Sequence, residues 1–166
     1  MTLVVYVGGA RSGKSWLALQ RAHETAAPVV FIATGEAGDD EMAERIERHR
    51  AERPGDWRTV EEPLELAAAL DRVPDDTTAI VDCLSLWVAN LGDAEDVEAR
   101  SAAAARVAAA RRGLTIAVTN EVGLGIVPDN ALARSYRDTL GRVNAEWAAL
   151  ADEAYFVVAG RPLRLA

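Results

Sequence analysis

The chain has 166 residues, of which 50% are hydrophobic and 27% are charged. This balance is typical of one soluble globular domain, residues 1–166, and not of a disordered chain. The formal net charge is −8, and so acidic a surface repels phosphate backbones, which argues against nucleic-acid binding. The single cysteine, Cys83, excludes a disulfide framework and a cysteine-based zinc site within one chain. The apolar start of the chain lacks a basic leader and is too short for a signal peptide or a membrane span, so we expect a cytoplasmic protein.

Short apolar segments alternate with segments of helical spacing along the whole chain. The predicted strands are residues 2–7, 29–33, 57–60, 78–82, 114–119 and 155–159, with 163–165 as a final edge. The predicted helices are residues 15–25, 39–53, 64–73, 84–91, 97–112 and 130–151. Strands that are apolar on both faces are typical of a parallel sheet covered by helices. The pattern therefore predicts a single-domain α/β fold with a mainly parallel sheet and helices on both faces.

The segment that follows the first predicted strand matches the phosphate-binding pattern G-x-x-x-x-G-K-[ST]. Its residues are Gly8, Gly9, Ala10, Arg11, Ser12, Gly13, Lys14 and Ser15. Glycines let backbone N–H groups approach phosphate oxygens, and the helix that follows adds partial positive charge. Lys14, the only lysine in the chain, would reach the β- and γ-phosphates, and the Ser15 hydroxyl would ligate Mg²⁺. The motif predicts binding of a nucleoside triphosphate without naming the reaction.

An acidic residue, Asp82, ends the predicted strand 78–82. We expect it at the end of a strand that neighbours the phosphate-binding loop, where it would hold Mg²⁺ directly or through water. The alternative is that Asp82 caps the helix that follows.

The helix predicted for residues 39–53 contains one of the two histidines of the chain. At 3.6 residues per turn, one side of it carries Met42, Ile46, His49 and Arg53. Arg50 and Arg53, which lie beside His49, disfavour the charged imidazolium and so keep a ring nitrogen available as a nucleophile. The same two arginines would neutralise the charge of a triphosphate. On these residues alone, a surface histidine in a salt-bridged helix is the favoured interpretation, and the nucleophile is the alternative. The other histidine, His23, has no comparable setting, and we interpret it as structural.

Four segments occur in an order that resembles one known family. They are GGARSGKS at 8–15, DDEMAERIERHRAERPGDWRTVEEP at 39–63, IVDCLSLWVANL at 80–91 and VTNEVGLGIVPDNALARSYRDTLGRVN at 118–144. The family is that of the bifunctional adenosylcobinamide kinase / adenosylcobinamide-phosphate guanylyltransferases of cobalamin biosynthesis. The loop alone is unspecific, but the combination of R-I-x-x-H-x-x-x-R-P-x-x-W with T-N-E-V-G-x-G-I-V-P is highly specific, and the resemblance covers nearly the whole chain.

The resemblance implies a P-loop NTPase fold related to RecA and two reactions. A nucleoside triphosphate, GTP or ATP with Mg²⁺, phosphorylates the hydroxyl of adenosylcobinamide, and Lys14 serves in this step. GMP from GTP is then joined to adenosylcobinamide phosphate through a guanylylated histidine, which by motif position is His49. The family also assembles as a trimer, so we expect a homo-oligomer.

The nucleotide contacts of the family correspond to the loop at 8–15 and to Ala33, Thr34, Gly35, Arg50, Ala51, Glu52, Arg53, Glu61 and Asp82. Arginines suit phosphates because they bind them bidentately. We hypothesise that Glu61 accepts hydrogen bonds from guanine N1–H and N2–H₂; the alternative is an ordinary surface acid.

Three further polar residues, Asn120, Glu121 and Asp138, have open roles. Asn120 and Glu121 follow an apolar strand, so they should reach the ligand-binding edge of the sheet. There they would orient the corrinoid hydroxyl or a metal-bound water, or else form a subunit contact.

One departure from the family is the stretch 91–113, which is shorter than usual and affects the expected interface or corrinoid cleft. A guanylyltransferase without kinase activity and a nucleotide-dependent switch protein are the competing functional readings.

Overall fold

The computed structural model describes residues 2–36, 38, 40–51 and 53–165. The side chains of Glu41, Met42, Arg45 and His49 also lie outside the described part. The strands are β1 (Thr2–Gly8), β2 (Val29–Ala33), β3 (Arg58–Glu61), β4 (Thr78–Asp82), β5 (Leu114–Asn120), β6 (Glu153–Val158) and β7 (Arg161–Arg164). The helices are α1 (Lys14–His23), α2 (Asp40–Ala51), α3 (Leu66–Asp71), α4 (Leu84–Leu91), α5 (Val97–Ala110) and α6 (Ala131–Leu150).

The described strands form one sheet in the order β3-β2-β4-β5-β1-β6-β7. All pairs are parallel except the last, in which β7 runs antiparallel to β6. Antiparallel pairing at this edge follows from the tight turn between the two strands, since a parallel pair needs a longer crossover. The mainly parallel α/β fold predicted from the sequence is therefore confirmed.

Helices cover both faces of the sheet because successive residues of its strands are apolar on opposite sides. In β1, Leu3 and Val5 belong to one hydrophobic cluster, whereas Val4 and Tyr6 belong to the other. The first cluster includes buried residues of α3, α4, α5 and α6. The second includes buried alanines of α1. The central strands are thus buried on both sides, and their ends are the places left for polar chemistry.

The helix α6 is amphipathic and long. The side chain of Asn130 caps its start, accepting a hydrogen bond from the amide of Ala133 at 2.7 Å. Its inner face buries Leu140, Val143 and Trp147. Neither α6 nor any other helix in the described ranges is long and apolar enough to cross a membrane.

Element boundaries differ from the predicted ones by a few residues. The helix predicted for 39–53 begins at Asp40 and ends at Ala51, so Arg53 lies beyond it, in a turn in which its amide hydrogen-bonds to the carbonyl of Arg50. Asp39, the first residue of the predicted range, lies outside the described residues. Pro54 cannot donate a backbone hydrogen bond and disfavours helical geometry in the residue before it, which explains the early end of α2.

The expected adjacency of the acidic strand to the phosphate-binding loop is wrong. The strand β5 lies between β1 and β4. Its Asn120 pairs with Gly8 of β1, and its Val118 pairs with Asp82 of β4. Strand order depends on how the crossover helices pack, and the local apolar pattern carries no record of it. All these strands nevertheless end at one edge of the sheet, so Asp82 and the loop still face the same space.

Candidate functional site

The phosphate-binding loop, residues 8–15, connects β1 to α1 in a conformation that depends on its glycines. Gly13 has φ +99°, a left-handed conformation that side chains disfavour. A Cβ on Gly8 would lie 2.5 Å from the carbonyl oxygen of Val157 and 2.7 Å from Ser12 Oγ. Lys14 Nζ donates to the carbonyl of Gly9 at 2.9 Å, so the lysine closes back over its own loop.

Neighbouring elements hold this loop from two sides. The amide of Glu121, just after β5, donates to the carbonyl of Gly8 at 3.0 Å. The amide of Gly160, in the turn between β6 and β7, donates to the carbonyl of Ser12 at 2.9 Å. The loop is therefore preorganised by residues far away in the sequence.

A cleft opens beside the loop at the carboxyl edge of the sheet, and we call it the phosphate cleft. It is lined by Lys14, Ser15, Ala33, Gly35, Ile46, Arg53, Asp82, Cys83, Leu86 and Asn120. The cleft combines cationic, hydroxyl, carboxylate and amide groups with an apolar wall. Besides Arg53, five of its residues were predicted to contact nucleotide or Mg²⁺, and they come from three separate parts of the chain that the fold brings together: Lys14, Ser15, Ala33, Gly35 and Asp82. Arg53, also predicted, completes the set.

Two unpaired buried polar atoms mark this region. In the described part of the chain, the buried side-chain nitrogen and oxygen atoms without a hydrogen-bond partner are Ser12 Oγ and Arg53 Nε. A buried polar group without a partner costs roughly 1–3 kcal/mol, and native structures keep few of them. One of these atoms lies in the phosphate-binding loop and the other belongs to the arginine of the cleft. Both are the kind of donor that a phosphate oxygen would satisfy.

Arg53 is held in place by contacts on its flanks. Its guanidinium carbon lies 3.7 Å from the centroid of the Phe31 ring, a cation–π contact. One terminal nitrogen is 3.4 Å from Thr59 Oγ1. Burial lowers the pKa of the Arg53 guanidinium, and the charge of Asp82 partly opposes this effect. The group nevertheless stays protonated near neutral pH, because the pKa of arginine starts far above it.

A second cleft, which we call the side cleft, continues from the phosphate cleft along α2. Its volume is about 460 Å³, and it is lined by Ala33, Gly35, Glu36, Ala43, Ile46, Glu47, Arg50, Glu61 and Pro63. The two clefts share Ala33, Gly35 and Ile46. The arrangement joins a small cationic site to a larger cavity with carboxylates, a shape that suits a nucleotide.

Arg50 and Glu61 face each other across the side cleft. Arg50 donates to Glu47 at 2.7 Å and, in a short contact, to Glu61. Both carboxylates are largely exposed, so solvent screens these pairs, and such pairs add little stability. The two side chains can exchange these bonds for bonds to a ligand at little cost.

Thr34 lies between the predicted contacts Ala33 and Gly35, yet its polar groups are already used. Its hydroxyl donates to the carbonyl of Cys83 at 2.7 Å and accepts from the amide of Cys83 at 2.9 Å. Its own amide donates to the carbonyl of Asp82 at 3.2 Å, and its carbonyl accepts from Asn90 Nδ2 at 2.6 Å. Thr34 thus joins the ends of β2 and β4, while Ala33 and Gly35 line the cleft.

Asp82 lies at the end of β4, and the N-cap residue of α4 is Cys83, not Asp82. Burial raises the pKa of the Cys83 thiol to about 11, so the thiol is neutral near pH 7. No group of three or more His, Cys, Asp or Glu side chains capable of holding a metal occurs among the described residues. Ser15 and Asp82 together would offer two oxygen ligands, which fits Mg²⁺, because this ion keeps several waters and substrate phosphates in its shell.

Other predicted positions are placed only in part. Ala51 is the exposed last residue of α2, whereas Glu52 lies outside the described residues. The backbone of His49 belongs to α2, three residues after Ile46, and its side chain lies outside the described part. His23 packs its ring 5.0 Å from that of Trp57, in accord with a structural role.

Sequence reasoning missed some lining residues and left others open. Leu86 and Cys83 line the phosphate cleft, and no sequence motif marked them as site residues. Asn120 also lines it. Glu121 accepts from the amide of Gly123, and Asp138 pairs with Arg137 on the exposed side of α6. Neither residue lines the phosphate cleft.

The chain resembles known proteins over nearly its whole length. Residues 3–165 match the family described as cobinamide kinase / cobinamide phosphate guanyltransferase. The bifunctional adenosylcobalamin biosynthesis protein CobP of Pseudomonas aeruginosa is 44% identical over 163 residues, covering 96% of this chain and 94% of the relative. The corresponding CobU proteins of Salmonella typhimurium and Escherichia coli are 42% and 40% identical, each covering 95% of this chain and 96% of the relative.

Solved structures of more distant proteins share the fold. The assembled ATPase EscN of enteropathogenic E. coli superimposes with a TM-score of 0.60 at 11% identity, covering 95% of this chain and 43% of that one. The KaiC-like protein PH0186 of Pyrococcus horikoshii gives 0.54 at 16% identity, covering 93% and 70%. The flagellar accessory protein FlaH of Methanocaldococcus jannaschii gives 0.51 at 15% identity, covering 99% and 77%. The chain therefore has a P-loop NTPase fold.

Proposed function

The chain belongs to the cobinamide kinase / cobinamide phosphate guanyltransferase family, and from this premise we propose that it catalyses both reactions of that family. It phosphorylates adenosylcobinamide with a nucleoside triphosphate, then transfers GMP from GTP to adenosylcobinamide phosphate. The observation that carries the proposal is the phosphate cleft, in which Lys14, Ser15, Arg53 and Asp82 come together. A cytoplasmic location is part of this proposal.

In the kinase reaction, the loop and the cleft stabilise the charge of the transferred phosphoryl group. Backbone amides of the loop and Lys14 would bind the β- and γ-phosphates, and Arg53 would neutralise charge from the opposite wall. The unpaired Ser12 Oγ and Arg53 Nε support this assignment, because a phosphate oxygen would give each a partner. The donor is GTP or ATP.

Mg²⁺ would be held by Ser15 Oγ and by Asp82, directly or through water. When bound, it would neutralise phosphate charge during transfer. The role of these two residues is to place oxygen ligands on the loop side and the β4 side of the same cleft.

The side cleft would take the guanosine. Its cavity of about 460 Å³ is continuous with the phosphate cleft through Ala33, Gly35 and Ile46. Glu61 at its wall would accept from guanine N1–H and N2–H₂, a donor pair that adenine lacks. Arg50, released from Glu61, would then bind phosphate.

In the transferase reaction, a ring nitrogen of His49 would attack the α-phosphorus of GTP. The new N–P bond forms as the bond to pyrophosphate breaks. A phosphate oxygen of adenosylcobinamide phosphate then attacks the same phosphorus, and the histidine leaves with its ring nitrogen restored. His49 lies on α2, the helix whose Ile46 lines both clefts and whose Arg50 lines the side cleft, and this position supports the role.

The decisive experiment follows the products. The protein is incubated with GTP, Mg²⁺ and adenosylcobinamide, and the corrinoids are identified by mass spectrometry. We expect both adenosylcobinamide phosphate and adenosylcobinamide-GDP. A second incubation supplies adenosylcobinamide phosphate in place of adenosylcobinamide. Adenosylcobinamide-GDP in the second incubation, with no product in the first, would indicate a guanylyltransferase without kinase activity. The absence of products in both incubations would indicate a nucleotide-binding protein that transfers nothing.

The guanylylated residue is tested by labelling the protein with [α-³²P]GTP. His49→Ala should abolish the label and leave phosphorylation of adenosylcobinamide within about threefold of wild type. The matched control is His23→Ala, which removes the other histidine and should keep the label. Label that survives in His49→Ala contradicts the assignment.

Base recognition is tested by Glu61→Gln. The amide presents one acceptor and one donor where the carboxylate presents two acceptors, so the preference for GTP over ATP in the transferase reaction should fall by about tenfold or more. The control is Glu44→Gln, an exposed change on α2 outside both clefts. An unchanged preference in Glu61→Gln would dispose of the hypothesis.

An exposed apolar segment supports the expected homo-oligomer. After β5, the side chains of Leu124, Ile126 and Val127 are 79%, 97% and 62% exposed. Contiguous apolar surface of this kind marks interaction sites. We assign it to the contact between copies of the chain, which the family resemblance gives as a trimer. Sedimentation equilibrium should report three chains, and Ile126→Asp should shift the assembly toward monomer.

A further inference from the structure

We propose that the side-chain oxygen of Asn120 orients the substrate hydroxyl in the kinase reaction, and that Ser85 is the positioning residue that aims it. This inference rests on the proposed function, because it assigns a residue to one of its two reactions. The inference is based on two observations: Asn120 lines the phosphate cleft, and its amide nitrogen donates a hydrogen bond to Ser85 Oγ.

The strand order places Asn120 centrally at the site. Since β5 lies between β1 and β4, the end of β5 reaches the cleft between the phosphate-binding loop, which follows β1, and Asp82, which ends β4. The register pairs Asn120 with Gly8, the first residue of the loop. Lys14, Ser15 and Asp82 line the same cleft. A group at this position faces the space in which a γ-phosphate and its acceptor would meet.

The orientation of the Asn120 side chain is determined by a buried hydroxyl. Asn120 Nδ2 donates to Ser85 Oγ at 2.9 Å, and Ser85 is only 1% exposed. Ser85 Oγ is also 2.9 Å from Cys83 Sγ, and whichever of these two atoms donates, the hydroxyl oxygen keeps a lone pair for the amide. The carbonyl of Ser85 accepts from the hydroxyl of Tyr136 at 3.0 Å, which ties this turn to α6.

The main chain of Asn120 is fixed as well. Asn144 Nδ2 donates to the carbonyl of Asn120 at 2.9 Å, and Asn144 Oδ1 accepts from the hydroxyl of Thr119 at 2.7 Å. With backbone and amide nitrogen both committed, Asn120 Oδ1 is the remaining acceptor. It makes no hydrogen bond within the described residues, so it is the atom that this network presents to a ligand.

The amide oxygen of Asn120 suits a reaction in which an alcohol hydroxyl is the group that receives the phosphoryl group. It would accept the hydroxyl proton in a hydrogen bond and so aim an oxygen lone pair at the γ-phosphorus. The new O–P bond forms, the bond to the nucleoside diphosphate breaks, and the hydroxyl proton is released to solvent, because an amide is too weak a base to keep it. Asn120 therefore contributes orientation and no charge, which suits a site that must also hold a polyanion.

The role is confined to one reaction, which makes it testable. In the transferase reaction the nucleophiles are an imidazole and a phosphate, and neither brings a hydroxyl proton to orient. Asn120→Ala should lower kcat for phosphorylation of adenosylcobinamide by roughly tenfold to a hundredfold. The KM for the nucleoside triphosphate and the transfer of GMP to supplied adenosylcobinamide phosphate should stay within about twofold.

Ser85 is tested through Asn120 in a double-mutant cycle. Ser85→Ala frees the amide and should lower the same kcat by about three- to tenfold, whereas adding Ser85→Ala to Asn120→Ala should change nothing further. Asn120→Leu fills the space of the amide without its polar atoms and should match Asn120→Ala. Ser135→Ala is the matched control, because it removes an exposed serine hydroxyl of α6 that does not line the phosphate cleft. It should keep kcat within about twofold.

Several outcomes overturn the inference. An unchanged kcat in both Asn120 variants, equal losses in both reactions, or additive effects of the Ser85 and Asn120 changes would each do so. A raised Mg²⁺ requirement at unchanged saturating kcat would assign Asn120 to a metal-bound water instead. A wild-type protein that guanylylates adenosylcobinamide phosphate but does not phosphorylate adenosylcobinamide overturns both this inference and the kinase half of the proposed function. That result appears before any variant is made, so the two failures are distinguishable.

Discussion

Replacing Arg111 should destabilise the fold more than any ordinary surface change. This arginine directly follows α5, and only 6% of it is exposed. Its guanidinium donates at 2.6–3.2 Å to Leu70 O, Val73 O, Pro74 O, Thr77 O and Thr115 Oγ1. It thereby fastens the connection between α3 and β4 to the start of β5. Burial lowers the pKa of the Arg111 guanidinium, yet the group stays charged near pH 7.

The size of the effect follows from these bonds. Arg111→Met keeps most of the apolar stem and removes every donor, which leaves four main-chain carbonyls to find other partners. A buried acceptor that loses its donor costs about 1–3 kcal/mol, and water at the rim of this turn would recover part of that. We therefore expect a loss of about 3–5 kcal/mol in the free energy of unfolding. For a domain of this size that lowers Tm by roughly 6–20 °C.

The assay is thermal and urea unfolding followed by circular dichroism, with Arg112→Met as the control. Arg112 is the exposed neighbour of Arg111, so its replacement should cost less than about 0.5 kcal/mol. The Arg111 network lies at the amino end of β4, opposite the phosphate cleft, and nucleotide affinity well below Tm should therefore be unchanged. A loss under about 1 kcal/mol in Arg111→Met, or one no larger than in the control, would refute the reasoning.

Three more outcomes are expected. Gly8→Ala places a Cβ 2.5 Å from the carbonyl oxygen of Val157, so calorimetric affinity for nucleoside triphosphate should fall by about tenfold or more; an unchanged Kd contradicts the close approach. Thr34→Val leaves the buried amide and carbonyl of Cys83 without their side-chain partner and should cost about 2–4 kcal/mol in urea unfolding, whereas a cost below about 1 would show that these bonds are replaceable. Burial raises the pKa of the Cys83 thiol from 9.0 to about 11, so its contribution to stability is full below pH 9.0 and is lost as the pH rises through about 11. The urea midpoint should fall less steeply over that range in Cys83→Ala than in wild type, and parallel curves would count against the shift.

Much of this protein is determined locally. Every predicted strand and helix occurs in the described structure, since apolar period and turn residues act within a few residues of each other. The phosphate-binding loop is equally local: the glycines, Lys14 and Ser15 are consecutive, so their spacing alone predicts their chemistry. The pairing of His49 with the transferase reaction also comes from the sequence motif, and it stays a prediction.

Other features depend on contacts between residues far apart in the chain. The insertion of β5 between β1 and β4 follows from how whole helices pack, and it is this order that brings Asn120 into the phosphate cleft. Contacts across the fold also determine which polar side chains are already hydrogen-bonded. Thr34 lies in the sequence between two predicted nucleotide contacts, yet in the fold its hydroxyl is hydrogen-bonded to the backbone of Cys83. The sequence by itself thus determined the elements and the nucleotide-binding loop. The tertiary structure decided which polar atoms remain available around that loop, because each hydrogen bond made across the fold removes a group from the site.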